Sequence, residues 1–160
     1  MSWEEETERR MARGAELFRQ GYNCSQSVTM ALADFYDVPE GLMARMSASF
    51  GGGIGRMRET CGAATGMFML AGLEEATEHA DKEAKARNYA VVQRLADDFR
   101  RETGSLLCRE LLAGRIRKVD ACPTPEERTE QYYQKRPCGK MVELAIGIYM
   151  TYLKGKLDKG

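Results

Sequence analysis

Apolar residues along this chain recur at three- and four-residue spacing and hardly ever alternate with polar ones, a pattern that predicts helices and no strands. Ser2 with Glu5 makes a capping box ahead of a helix striped by Met11, Ala15 and Phe18 and stopped by Gly21. Asn23 with Gln26 caps a second helix carrying Val28, Ala31, Leu32 and Phe35, which ends before Pro39. A short third segment covers about 40–49. After a Gly51-Gly52-Gly53-Ile54-Gly55 loop, Thr60 is placed to cap a helix reaching about Leu73. Met67, Phe68, Met69 and Leu70 make that helix apolar on most sides, the mark of the most buried element. A long amphipathic helix from Thr77 to about Thr103 turns Tyr89, Val92, Leu95, Ala96 and Phe99 to one side, and Gly104 ends it. Ser105–Ala113 reads as a short helix, and Thr124-Pro125-Glu126-Glu127 marks another brief start within a polar stretch. Cys138–Lys154 closes the chain with Met141, Leu144, Ala145, Ile148 and Tyr152 inward. The expected fold is all-α: a single-domain bundle of six to eight helices over residues 1–160, several of them short.

Charge removes several functions from consideration. Lys plus Arg equals Asp plus Glu at 24 each, and the basic residues are scattered, so no field draws in nucleic acid. The most apolar run, Met141 to Leu153, contains Glu143 and is too short for a membrane span. The first six residues are acidic and lack the apolar core of a leader, so a cytoplasmic location is expected. Thiols are usually reduced there, which favours a metal site or a cycling disulfide over a static disulfide framework.

Against that background the cysteines carry the candidate chemistry. Cys24, Cys61, Cys108 and Cys138 each fall where the pattern starts a helix. A helix N-terminus has unpaired N–H groups and the positive dipole end, which favour the thiolate, the form that attacks disulfides and binds metals. A buried cysteine can also be a mere small hydrophobe, a reading weakened by four such placements. Cys122, in the polar Asp120-Ala121-Cys122-Pro123, reads as a free surface thiol, with a resolving cysteine as the sharper alternative. No C-x-x-C pair exists, and even Cys108 and Cys138 lie 30 positions apart, which argues against zinc ribbons and thioredoxin-like motifs. A joint site must therefore be assembled by the fold, and it calls for at least three sulfurs in near contact. With Arg56 and Arg58 nearby, Cys61 is the expected most acidic thiol. Gly52 and Gly53, with Gly62 after Cys61, are the glycines assigned to a bound group: the loop could cradle an anion. It lacks the Gly-Lys-Ser/Thr of a P-loop, and a tight packing turn is the plainer role. His79, the only histidine, reads as solvated, and the ten methionines as core filler.

Asn23-Cys24-Ser25-Gln26-Ser27-Val28, then Phe50-Gly51-Gly52-Gly53-Ile54-Gly55-Arg56-Met57 leading to Cys61-Gly62-Ala63-Ala64-Thr65-Gly66, resembles the CGAxxG four-cysteine family of redox-active proteins (C_GCAxxG_C_C type). Gly104-Ser105-Leu106-Leu107-Cys108-Arg109-Glu110-Leu111-Leu112 is similar to that family's third cysteine segment, and Arg136-Pro137-Cys138-Gly139-Lys140-Met141-Val142 to its fourth. The likeness runs over about residues 10–153; Gly139 stands where the family more often has Pro. It implies that Cys24, Cys61, Cys108 and Cys138 work in dithiol–disulfide chemistry or electron transfer, as in a thiol-dependent oxidoreductase. The runner-up has the same four hold a metal, an iron–sulfur cluster ahead of zinc, a choice supported by a related domain associated with an iron–sulfur site. A non-catalytic helical interaction module is the third reading. The implied partner is a redox protein or a small-molecule substrate, with a homodimer left open.

Overall fold

Ser2 and Asn23 do in space what their spacing to Glu5 and Gln26 asks. Each side chain accepts from the backbone N–H three residues on, and the Glu5 or Gln26 side chain accepts from the cap's own N–H. In the computed structural model, which describes residues 1–160, eight α-helices follow: α1 Trp3–Arg19, α2 Cys24–Leu32, α3 Glu40–Ser47, α4 Gly62–Glu75, α5 Lys82–Thr103, α6 Cys108–Leu112, α7 Glu130–Lys135 and α8 Cys138–Lys159. Short 3₁₀ turns occupy Ala33–Tyr36 and Ala48–Phe50, and one isolated antiparallel bridge joins Thr60 to Leu107. The fold is all-α.

Four expectations shift. Thr60 does not cap α4, because its backbone is taken by the bridge to Leu107; Cys61 occupies the cap position, with no side-chain cap bond. The long helix begins at Lys82 behind an Asp81 cap: Thr77 closes a local turn on His79, and such side-chain bonds compete with the helix. No helix starts at Pro125; the next begins after Thr129, whose hydroxyl accepts from the Tyr132 N–H. Tyr89 is exposed rather than inward. It lies six residues from buried Leu95, about 120° around the helix, while Ala96 and Phe99 share the Leu95 face.

One cluster of 25 buried residues draws on α1–α5 and α8, and α6 and α7 contribute nothing to it. Helix α2 lies against α1, α3, α4 and α8, and α8 against α1, α2, α4 and α5. Eight of the 14 residues of α4 are buried, so it is the central helix its composition suggests. The chain between α6 and α8 is held to this body by the rings of Tyr132 and Tyr133 against Phe18 and by polar ties. Arg128 donates from Nη1 to the Phe18 carbonyl at 2.9 Å and from Nη2 to the Tyr22 carbonyl at 3.1 Å. No helix is long and apolar enough to cross a membrane.

Candidate functional site

The four cysteines stand at helix starts in the fold: Cys24 opens α2, Cys61 caps α4, Cys108 opens α6 and Cys138 opens α8. Small residues and backbone pairing bring these starts to one place. A Cβ on Gly62 would meet the Phe50 carbonyl at 2.9 Å, the Ser25 nitrogen at 3.1 Å and the Cys24 Cβ at 3.3 Å, so the missing side chain is what lays α4 against the start of α2. The Cys61 N–H donates to the Leu106 carbonyl and the Cys108 N–H to the Glu59 carbonyl, both at 2.7 Å. These bonds tie the α4 and α6 starts together around the Thr60–Leu107 bridge. The fourth start joins them because α8 packs against α2, which puts Cys24 and Cys138 on the wall of one space.

The glycine loop has an uncommon backbone. Gly52, Gly53, Ile54, Gly55 and Arg56 lie consecutively at φ of 64°, 74°, 67°, 55° and 60°, and Arg58 follows at 61°. Three of these carry side chains, and the left-handed region is costly for a β-branched residue such as Ile54. Main-chain bonds hold the turn, among them Gly55 N–H to the Ser49 carbonyl at 2.7 Å and Glu59 N–H to the Gly53 carbonyl at 2.9 Å. Its product is positional: Arg56 and Arg58 both line the space between the cysteines. At Gly53 a Cβ would sit 2.7 Å from the Cys108 Cβ and 2.8 Å from the Arg58 Cα. Gly53→Ala therefore combines a left-handed alanine with overpacking, and it should lower stability by about 2–5 kcal/mol. A urea titration checks this; a loss under 1 kcal/mol would mean the loop is not pinned against Cys108 as described.

That space is a cavity of about 570 Å³. Its wall includes all four cysteines, Gly52, Gly53 and Gly62, and it carries four guanidiniums (Arg56, Arg58, Arg128 and Arg136) against one carboxylate, Glu126. Glu126 Oε1 accepts from Arg56 Nη2 at 2.8 Å and from Arg136 Nη2 at 2.7 Å. Arg58 donates from Nε to the Asp120 carbonyl at 2.9 Å and from Nη1 to Cys108 Sγ at 3.6 Å.

The thiols answer this environment differently. Cys138 is held below the ordinary thiol range, first by the neighbouring Cys24 thiol and then, against the effect of burial, by Arg136, Arg128 and Arg58. Cys24 is pushed well up, first by its interaction with Cys138 and then by burial. Burial raises Cys108, with Arg58 pulling the other way. Burial pushes Cys61 up to about 12, although the Ala63 and Ala64 N–H groups oppose it. The expectation that Cys61 is the most acidic thiol is thus overturned: Arg58 is spent on Cys108, and desolvation outweighs the helix terminus. Cys138 has that place, and it is also the only one of the four that is not fully buried.

Convergence is narrower than the expected three-sulfur contact. No group of three or more Cys, His, Asp or Glu side chains is arranged to hold a metal ion, so the donors in this conformation do not fit an iron–sulfur or zinc site. Cys122 and His79 are exposed and are not part of the cavity wall, although Pro123, next to Cys122, is. Sequence reasoning missed Glu126, Arg128 and Arg136. Arg136 could have been noticed two residues before Cys138, whereas nothing local ties 126 or 128 to a cysteine. The family described as "Putative redox-active protein (C_GCAxxG_C_C)" matches residues 22–152, a span that contains all four of these cysteines. No curated protein and no solved structure matches the chain.

Proposed function

The chain belongs to the C_GCAxxG_C_C family of putative redox-active proteins, and from that premise we propose that Cys138 and Cys24 form its working dithiol, cycling with a disulfide. The observation that carries this reading is that Cys24 and the half-buried Cys138 line one cavity, where Cys24 is the largest cause of the lowered Cys138 pKa. A nucleophilic thiolate needs access and a lowered pKa, and a resolving thiol needs to be within reach of it. Cys138 meets the first need and Cys24 the second. The protein then acts as a thiol-dependent oxidoreductase: the Cys138 thiolate attacks a disulfide sulfur, expels one thiolate, and forms a mixed disulfide. Cys24, giving up its proton, attacks Cys138 and expels the second thiolate, leaving a Cys24–Cys138 disulfide. Two electrons pass from the protein to the substrate disulfide. Cys61 and Cys108 form the buried wall of the site, with Arg58 bonded to the Cys108 sulfur.

Iodoacetamide labelling against pH, with each cysteine followed by mass spectrometry, tests the assignment. A lowered pKa keeps Cys138 ionised below the usual inflection near about 8.5, so its labelling should fall away only at lower pH. Cys24→Ala, which deletes the largest cause of that shift, should move the inflection upward. A Cys138 that titrates like a free thiol would remove the proposed nucleophile.

A further inference from the structure

The cavity's charge says something about what enters it. Arg58 is only 6% exposed, yet its Nη2 has no hydrogen-bond partner in the protein; the nearest carboxylate oxygen, Glu126 Oε1, is 3.9 Å away. Arg56 Nη1 is likewise buried and unpartnered, 3.8 Å from Asp120 Oδ1. Buried guanidinium N–H groups are costly to leave unpaired, and arginine cannot relieve the cost by losing its proton. Arg56 and Arg58 both line the cavity, whose wall carries four guanidiniums against one carboxylate, and the planar guanidinium suits an oxyanion. The same Arg58 guanidinium donates to Cys108 Sγ at 3.6 Å, so an anion held there lies beside that sulfur in a cavity that Cys138 also lines. Glu126 already places one carboxylate between Arg56 and Arg136, showing that this wall accepts that chemistry.

Resting on the dithiol reading above, we propose that the substrate is a low-molecular-weight disulfide bearing an oxyanionic group, held by Arg58 and Arg56 while Cys138 attacks its disulfide bond. The cavity, at about 570 Å³, is of a size for such a molecule. The exchange consumes one substrate disulfide and yields two small thiols and the Cys24–Cys138 disulfide, with no further reductant in that half-reaction. Glu126 competes for the guanidiniums, so an entering anion displaces part of its hold.

Three disulfides of similar size separate charge from reactivity: dithiodipropionate as the anion, hydroxyethyl disulfide as the neutral probe and cystamine as the cation. Oxidation of the reduced protein is followed for each, and each rate is divided by that disulfide's rate with a free model thiol. Dithiodipropionate should lead the neutral probe by roughly tenfold to a hundredfold, the worth of one or two charge-assisted hydrogen bonds, with cystamine slowest. Glu126→Gln should widen the gap, and Arg58→Gln should close most of it. Equal normalised rates for the anionic and neutral probes overturn the charge preference and leave the dithiol reading in place. A Cys138 inert to all three overturns the dithiol reading instead. The anion site is then judged with suberate, the sulfur-free dicarboxylate of matching length: a melting shift that Arg58→Gln abolishes supports the site, and no shift overturns it.

Discussion

Cys138→Ser, made in a Cys122→Ser background, is expected to abolish exchange with small disulfides, while Cys24→Ser stops the reaction halfway and accumulates a mixed disulfide. The two outcomes differ because the two sulfurs do different work. Removing Cys138 takes away the thiolate, and no neighbour can replace it. With its pKa pushed to about 12, Cys61 is ionised in roughly one molecule in 10⁵ at pH 7. Burial raises Cys108, and although Cys24 loses in this variant the Cys138 interaction that raises it most, burial still raises it, so neither becomes a ready nucleophile. Removing Cys24 leaves Cys138 able to attack but takes away the thiol that completes the cycle. Intact mass spectrometry after a short exposure to hydroxyethyl disulfide distinguishes these states: no adduct in the first variant, one adduct in the second, and a loss of two hydrogens in the parent. An adduct appearing first on Cys61 or Cys108 would reassign the nucleophile.

How much of this could be read from the chain differs between elements. Capping boxes and glycine stops act within a few residues, so Ser2–Glu5, Asn23–Gln26 and Gly104 place helix ends that the fold keeps. The cysteines were legible for the same reason, since their positions at helix starts are local facts. Which thiol is acidic was not legible, because the answer depends on groups distant in sequence. Cys138 depends first on Cys24 and, beside the adjacent Arg136, on Arg128 and Arg58, and Cys61 on how deeply it is buried. The helix expected at Pro125 failed similarly: Glu126 is drawn to Arg56 across 70 positions of sequence, a tie that no local propensity contains. Arg56 and Arg58 mark the boundary case. Their sequence flagged an anion cradle, but only the left-handed turn, with Ile54 and both arginines at positive φ, puts them in the cysteine cavity.

The arrangement also separates strength from function. The 25-residue core holds α2, α4 and α8 in place and so fixes Cys24, Cys61 and Cys138. Leu111 of α6 and Tyr132 and Tyr133 of α7 pack against that core, whereas the chain between these helices is tied by polar bonds: Asp120 to Arg58, Glu126 to Arg56 and Arg136, and Arg128 to the Phe18 carbonyl. Segments with few buried apolar contacts open at lower free energy than the core. The cavity wall is therefore best able to admit substrate on the side that carries Glu126, without disturbing the sulfurs anchored by the bundle.

Oxidation of the dithiol should raise the melting temperature by about 10–20 °C. Cys24 and Cys138 are 114 positions apart in sequence, and the loop-closure model gives a cross-link of that span about 4.8 kcal/mol, mainly by restricting the unfolded chain. For a chain of this size each kcal/mol corresponds to roughly 2–4 °C. The two cysteines open α2 and α8, which pack against each other, and both line one cavity, the placement such a cross-link needs. A pairing of Cys108 with Cys138 would close only 30 positions and contribute about 3.6 kcal/mol on the same model, and peptide mapping of the oxidised protein tells the two apart. The shift should vanish in Cys24→Ser and Cys138→Ser, persist in Cys122→Ser, and ignore a chelator. A melting temperature that falls with chelator and not with reductant would instead identify a metal that binds only the folded chain, because such a metal adds its binding free energy to folding.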